Sequence, residues 1–315
     1  MVDYITENEY LILAGGVGAA KFIDGLSRIT NPEQLKIIVN TGDDITLFGL
    51  LICPDLDIIT YTLANIVDRE KGWGIAEETF SCLSYLKKFY QFDWFNAGDK
   101  DLATHIYRTD LYNKGFSKKE ITKKICKKLG VHSEIIPMCN ETVETYIHTP
   151  ERMMHFEEFY IKYQSKPDIL NVDLRGIEQS KLIQPIKKYM KTAERIIICP
   201  SNPIVSINTI LSVENMKDLL QKEKQKIIAI SPIIEGKTVK GPADKLLRSV
   251  NLEASSYGVA KFYKNIAGHI IIDERDCYLK EKIESLGIKV YCFDTLMKNI
   301  EKKKKLAQFT LEIKI

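Results

Sequence analysis

Short apolar runs alternate with longer polar stretches along the chain, and the rhythm of that alternation predicts the elements. Tyr10–Ala14 reads as a first strand, followed by Gly15-Gly16-Val17-Gly18-Ala19-Ala20-Lys21 and then by Phe22, Ile23 and Leu26 at helical spacing. Residues 36–39 are short, β-branched and closed by Asn40-Thr41-Gly42, the pattern of a buried strand ending in a turn. Right-handed crossover makes these two strands parallel neighbours. An apolar segment at 58–66, a helical pattern at 77–89 and a helix from Leu102 with Asp101 as its N-cap come next. Residues 114–129 read as an amphipathic helix whose lysines form a solvated face, and Glu134–Pro137 and 142–149 as short strands. This middle region interrupts the βαβ rhythm, so residues 76–164 are expected to be an insertion. The rhythm resumes with strands at 195–199, 226–230, 269–273 and 289–293. An α/β fold with a mostly parallel sheet follows.

Candidate chemistry gathers at the predicted carboxyl ends of the strands, where open α/β sheets bind ligands. The glycine turn before the first helix allows close backbone approach, and the helix N-terminus favours a phosphate, with Lys21 adding a full charge. Lys21 stands where a dinucleotide fingerprint would need its third glycine, and the Walker pattern is absent. Asp43 and Asp44 follow the second strand, and Asp55 and Asp57 return behind Cys53-Pro54. Four carboxylates so close repel one another unless a cation sits among them, and oxygen-only ligands suit magnesium or manganese. Turn and cap roles are the plainer alternative for Asp43 and Asp57. Neutralising Asp57 is therefore expected to relieve repulsion. Trp73 between two glycines suits a loop beside a flat ligand or an anchored turn. His105, with Lys100, Thr104 and Arg108 nearby, suits a site contacting phosphate or carboxylate. The loops Pro200-Ser201-Asn202-Pro203 and 231–242 offer backbone N–H groups to a ligand.

Composition narrows the partners. The 315 residues are 45% hydrophobic and 28% charged, and 45 basic against 42 acidic residues leave a net charge of +3, which gives no case for nucleic acid. Seven cysteines without a CxxC pair point to reduced thiols. The polar opening residues do not form a signal peptide and no apolar run reaches the length of a membrane span, so a cytoplasmic protein without a membrane partner is expected.

In this order, GGVGAAKF, NTGDD, CPDLDIITYTLA, GWG, WFNAGDKDLATHI, PSNP and SPIIEGKTVKGPADK closely resemble the 2-phospho-L-lactate transferase (CofD) family over nearly the whole chain. The resemblance implies a Rossmann-like fold with helices on both faces. Residues 1–75 and 165–315 would form the nucleotide-binding core, and 76–164 an inserted α+β lobe contributing to the acceptor pocket. It also implies a magnesium-dependent transfer of 2-phospholactate, or a related acid such as enolpyruvate, from a guanosine-diphosphate-linked donor to the deazaflavin alcohol Fo. GMP is released, in the making of coenzyme F-420, by a homodimer. Gly15, Gly16, Gly18 and Lys21, with Pro200, Ser201, Asn202 and Pro203, fall where the family binds the nucleotide. Asp44 and Asp57 match positions associated with the metal. Asp57, Asn96, Lys100, Thr104 and His105 belong to the Fo side, and the catalytic base is left open among Asp43, Asp44, Asp55 and Asp57. Asn96 and Glu235 depart from the common pattern. Rival readings are a nucleotide-sugar-binding regulator of the gluconeogenesis-factor-like sister group, which lacks the CPDLD and GDKD pair, and an NAD-dependent dehydrogenase, disfavoured by Lys21.

Overall fold

Isoleucine-rich runs too short for helices pair side by side in the computed structural model, which describes residues 9–90 and 94–315. Residues 1–8, whose polar character argued against a signal peptide, lie outside the described residues. Seven parallel strands form the central sheet: β1 (Tyr10–Ala14), β2 (Leu35–Val39), β3 (Glu134–Pro137), β4 (Arg195–Ile198), β5 (Ile227–Ile230), β6 (His269–Ile272) and β7 (Lys289–Cys292), in the order β7-β6-β5-β4-β1-β2-β3. Ile12 of β1 is flanked by Ile37 of β2 and Ile197 of β4.

Alternation along each strand splits the core between two helical layers. Leu11 and Leu13 face Ile207, Ile210 and Met216 on one side. Ile12 and Ala14 face Phe22, Ile23 and Leu26 on the other. Strand order reverses between β1 and β4, the kind of switch point at which a crevice opens beyond the strands' carboxyl ends.

Helices α1 (Gly16–Leu26), α2 (Pro54–Leu63), α3 (Ser81–Phe89), α4 (Asp99–Asn113) and α5 (Lys118–Lys128) surround the first half of the sheet. Three expectations change. Glu134–Pro137, anticipated within the insertion, is an edge strand of the central sheet, pairing with β2 across a sequence separation that local pattern does not register. A three-stranded antiparallel sheet of Glu144–His148, Met153–His155 and Asn171–Arg175 runs past residue 164. Asp101 lies inside the first turn of α4, which starts behind Gly98, and so is not its N-cap.

The cysteine expectation is also corrected: Cys277 and Cys292 are joined in a disulfide across 15 residues, while the other five cysteines are free. Strand β7 brings Cys292 beside the turn that follows β6, a proximity that CxxC spacing does not reveal. Among the described residues no helix is long and apolar enough to cross a membrane.

Candidate active site

Beyond the carboxyl ends of β1, β2, β4, β5 and β7 lies a cavity of about 720 Å³. The glycine turn forms its floor. Gly16 has φ +71°, a conformation glycine adopts without penalty, and no atom lies within 4 Å of where its Cβ would be. Gly18 is required for a different reason: a Cβ there would stand 2.2 Å from the carbonyl oxygen of Pro200. Across the switch point Gly15 N–H donates to Ser201 Oγ at 3.2 Å, so the first and fourth strands' loops are tied together.

Asn202 accepts from the N–H groups of Ile204 and Val205, capping its own loop. Of the expected nucleotide residues, Gly15, Gly16, Gly18, Lys21, Pro200, Ser201 and Asn202 line the cavity, whereas Pro203 is buried and does not line it. Lys240 and Lys298 join Lys21 on the wall. Burial lowers the proton affinity of Lys21, with the charge of Lys303 adding to the effect.

The aspartates divide into two groups. Asp57 is buried on the first turn of α2, and both its oxygens meet Arg108, which is buried on α4. Asp44 Oδ2 accepts from Lys118 Nζ at 2.7 Å, both groups being buried, and Asp44 does not line the cavity. Two of the repelling charges are therefore matched from behind by protein cations.

Asp43 and Asp55 are not. Asn40 Nδ2 donates to both, at 3.1 and 2.9 Å, and Gly16 N–H donates to Asp55 at 2.7 Å. Burial, reinforced by Asp55, raises the proton affinity of Asp43 well above normal, and burial pushes Asp55 up to about 6. Glu157, delivered to the same wall, is pushed up to about 8 by burial, with Asp55 and Asp44 adding to it.

A hard divalent cation takes oxygen ligands. Asp43 Oδ1 and Asp44 Oδ1 are both buried without a partner, but Asp44 and Asp57 are each ion-paired, whereas among the described residues no ion pair reaches Asp43, Asp55 or Glu157, so this oxygen-only set is the freer one for such an ion. A second arrangement, Asp57, Asp101 and His105, has ligand atoms within 4.8 Å of one another and could hold a metal ion. Its imidazole is a poor ligand as placed, because Arg108 lies 3.1 Å from Nδ1 as a donor, leaving the proton on Nε2. Burial lowers His105 to about 4, keeping the ring neutral.

On the acceptor side Asp57, Asn96 and His105 line the cavity. Lys100 and Thr104 do not: the Lys100 ammonium donates to the carbonyls of Ala76 and Glu77, both at 2.8 Å, and so braces the start of α4. Aromatic walls come from Tyr61, Trp73, Phe95, Phe156 and Tyr160. Asp101 accepts from the Tyr61 hydroxyl at 2.7 Å and is pushed up to about 7 by burial, with Asp57 adding to it.

Sequence reading placed the GDKD segment, which ends in Asp101, on a wall of the acceptor pocket, but did not assign Glu157, Tyr61, Lys240 or the buried partner Lys118 to the site. The one available signal was arithmetic: four carboxylates at one sheet edge need cations, and Arg108 and Lys118 follow in the next two helical patterns. Glu235, the second departure, sits at φ +49° in a turn outside the cavity wall, a backbone conformation that glycine adopts more readily.

A crevice at a strand-order reversal, with amides and lysines on one side and carboxylates on the other, is the hallmark of an α/β protein that binds a charged, nucleotide-sized ligand. Residues 11–307 match the family 2-phospho-L-lactate transferase CofD, and the chain belongs to that family of transferases. The 2-phospho-L-lactate transferase of Methanosarcina barkeri is 37% identical over 301 residues, covering 96% of this chain and 97% of the relative. The phosphoenolpyruvate transferase of Streptomyces griseus is 32% identical over 309 residues, covering 96% and 97%. A solved Bacillus halodurans protein of the UPF0052 family shares the fold, with a TM-score of 0.63 at 15% identity over 97% of this chain and 100% of that one.

Proposed function

We propose that this enzyme transfers 2-phospholactate, or the enolpyruvyl analogue, from a guanosine-diphosphate-linked donor to the terminal hydroxyl of the deazaflavin Fo, releasing GMP in coenzyme F-420 biosynthesis. The observation that carries the reading is the single cavity in which the glycine turn and Lys21 face Asp43, Asp55 and Glu157, in a chain of this family. The donor's diphosphate would lie along the turn and the lysines, and the flat deazaflavin among the aromatic side chains near Asn96. The acceptor oxygen forms a bond to the phosphorus that carries the three-carbon acid, while the bond from that phosphorus to the bridging oxygen breaks and GMP leaves with the electron pair. The hydroxyl proton passes to a cavity carboxylate. Glu157, on the same wall, suits that step because burial has raised its proton affinity.

Transfer of this kind depends on position and charge neutralisation more than on a covalent intermediate. Magnesium, held by Asp43 and Asp55, would neutralise diphosphate charge. Incubation with Fo, magnesium and either lactyl or enolpyruvyl guanosine diphosphate, with products identified by mass, tests the proposal and the choice of acid. A product with neither donor overturns it. Sedimentation tests the proposed homodimer.

A further inference from the structure

Two groups on the α4 wall of the cavity have no role in the transfer as described: the imidazole of His105 and the carboxylate of Asp101, one helical turn apart. Arg108, less than a turn beyond His105, does not line the cavity and works from behind it. Its guanidinium meets the Asp57 carboxylate, donates to the Leu51 carbonyl at 3.3 Å, and places NH1 3.1 Å from His105 Nδ1. A guanidinium only donates, so Nδ1 must supply a lone pair and the ring proton sits on Nε2. That nitrogen is buried without a partner, 3.7 Å from Asp101 Oδ1. Without Arg108 the preference would relax, because Nδ1 stands 3.7 Å from Asp57 Oδ2, the same distance as Nε2 from Asp101 Oδ1, and either nitrogen could carry the proton towards a carboxylate.

We propose that Arg108 is a positioning residue that locks His105 in the Nε2–H tautomer, so that the wall presents a fixed N–H donor beside the Asp101 acceptor, a pair matched to an alcohol hydroxyl of the acceptor substrate. A hydroxyl both donates and accepts, and this pair satisfies both demands at once. The identity of the ligand rests on the proposed transfer reaction; the tautomer does not.

Long-range 1H–15N spectra of histidine-labelled protein at pH 7 read the tautomer directly, with His105→Gln assigning the signal among the five histidines. His105 is expected as Nε2–H in the parent. In Arg108→Lys the ammonium keeps a charge for Asp57 but lacks the fork that also reaches the ring, so the Nδ1–H form is expected to rise. The Michaelis constant for the acceptor is then expected to increase about tenfold, the scale of one lost hydrogen bond, with that for the donor unchanged. Arg108→Met, which keeps the Asp57 carboxylate and removes the donor from Nδ1, provides a second spectrum with the same expectation of a released tautomer. Nδ1–H in the parent, or Nε2–H retained in both variants, overturns the proposal. A locked tautomer in a protein that yields no product with either donor overturns the transfer reading and leaves the positioning role standing.

Discussion

Replacing Asp57 by Asn has opposite expected effects in the sequence and in the fold. Read along the chain, four neighbouring carboxylates should gain stability when one is neutralised. In the structure Asp57 is the partner of Arg108, and that guanidinium is 4% exposed. Removing one member of a buried pair costs about 3–5 kcal/mol, because the other charge is left without compensation. The Asn oxygen still accepts one hydrogen bond, and Arg108 keeps its contacts with the Leu51 carbonyl and His105, so the lower end applies. A loss of about 3 kcal/mol corresponds to a fall of about 1 M in the urea midpoint for a slope of about 3 kcal/mol/M. The double variant Asp57→Asn with Arg108→Met removes the orphaned charge and should recover most of that loss. Equilibrium urea unfolding of the parent, the single and the double variants decides the matter. An Asp57→Asn protein as stable as its parent, or a double variant no better than the single one, would refute the argument.

Glu157 should give stability a pH dependence of defined sign. Its carboxyl rises from 4.5 to about 8 on folding, so the folded state holds the proton more tightly, and the contribution present at low pH is lost as pH climbs through about 8. Urea midpoints of metal-free parent and Glu157→Gln should therefore diverge across that range to the parent's disadvantage; parallel curves would contradict the burial argument. In the glycine turn, Gly16→Ala should cost about 1–2 kcal/mol through its left-handed backbone alone. Gly18→Ala should instead push α1 off the Pro200 loop and weaken GDP binding in calorimetry; equal GDP affinity in the two variants would remove that loop contact from the site. Lys240→Met should weaken GDP about tenfold at low salt and less at high salt while the urea midpoint stays put, and a salt-independent change would deny it a charge role.

Strands were legible because each is a short β-branched run ended by a turn, and their buried faces leave register little freedom. The glycine turn, the Pro200 loop and the acidic edge were legible for the same reason: a βαβ rhythm specifies where carboxyl ends fall. Pairings between distant segments were not. Glu134–Pro137 has a strand's local pattern, yet its place beside β2 is fixed only by tertiary packing. Lys118 looks like one more lysine on a solvated helix, and what distinguishes it is the buried carboxylate of Asp44 opposite. Glu157 sits in an aromatic run that says nothing of the cavity, and Lys100 looks like a ligand group until its ammonium is seen to be spent on two carbonyls. Spacing finds charges; only the fold tells which are already matched.

That matching bears on the stretch 76–133, which holds α3, α4 and α5. Asp57 begins α2 and Asp44 follows β2, so both belong to the sheet's own loops, while the cations that neutralise them, Arg108 and Lys118, come from α4 and α5. A sheet folded without these helices would bury two carboxylates without a partner, at about 3–5 kcal/mol each, a cost comparable with the whole stability of an ordinary domain of about 5–15 kcal/mol. The stretch is thus bound to the core by charge as well as by apolar contact. Its two buried cations also leave the cavity with a defined asymmetry. Asp44 behind the wall and Asp57 on it are matched by protein cations, and Asp43, Asp55 and Glu157 on the wall await a proton, a cation or a ligand.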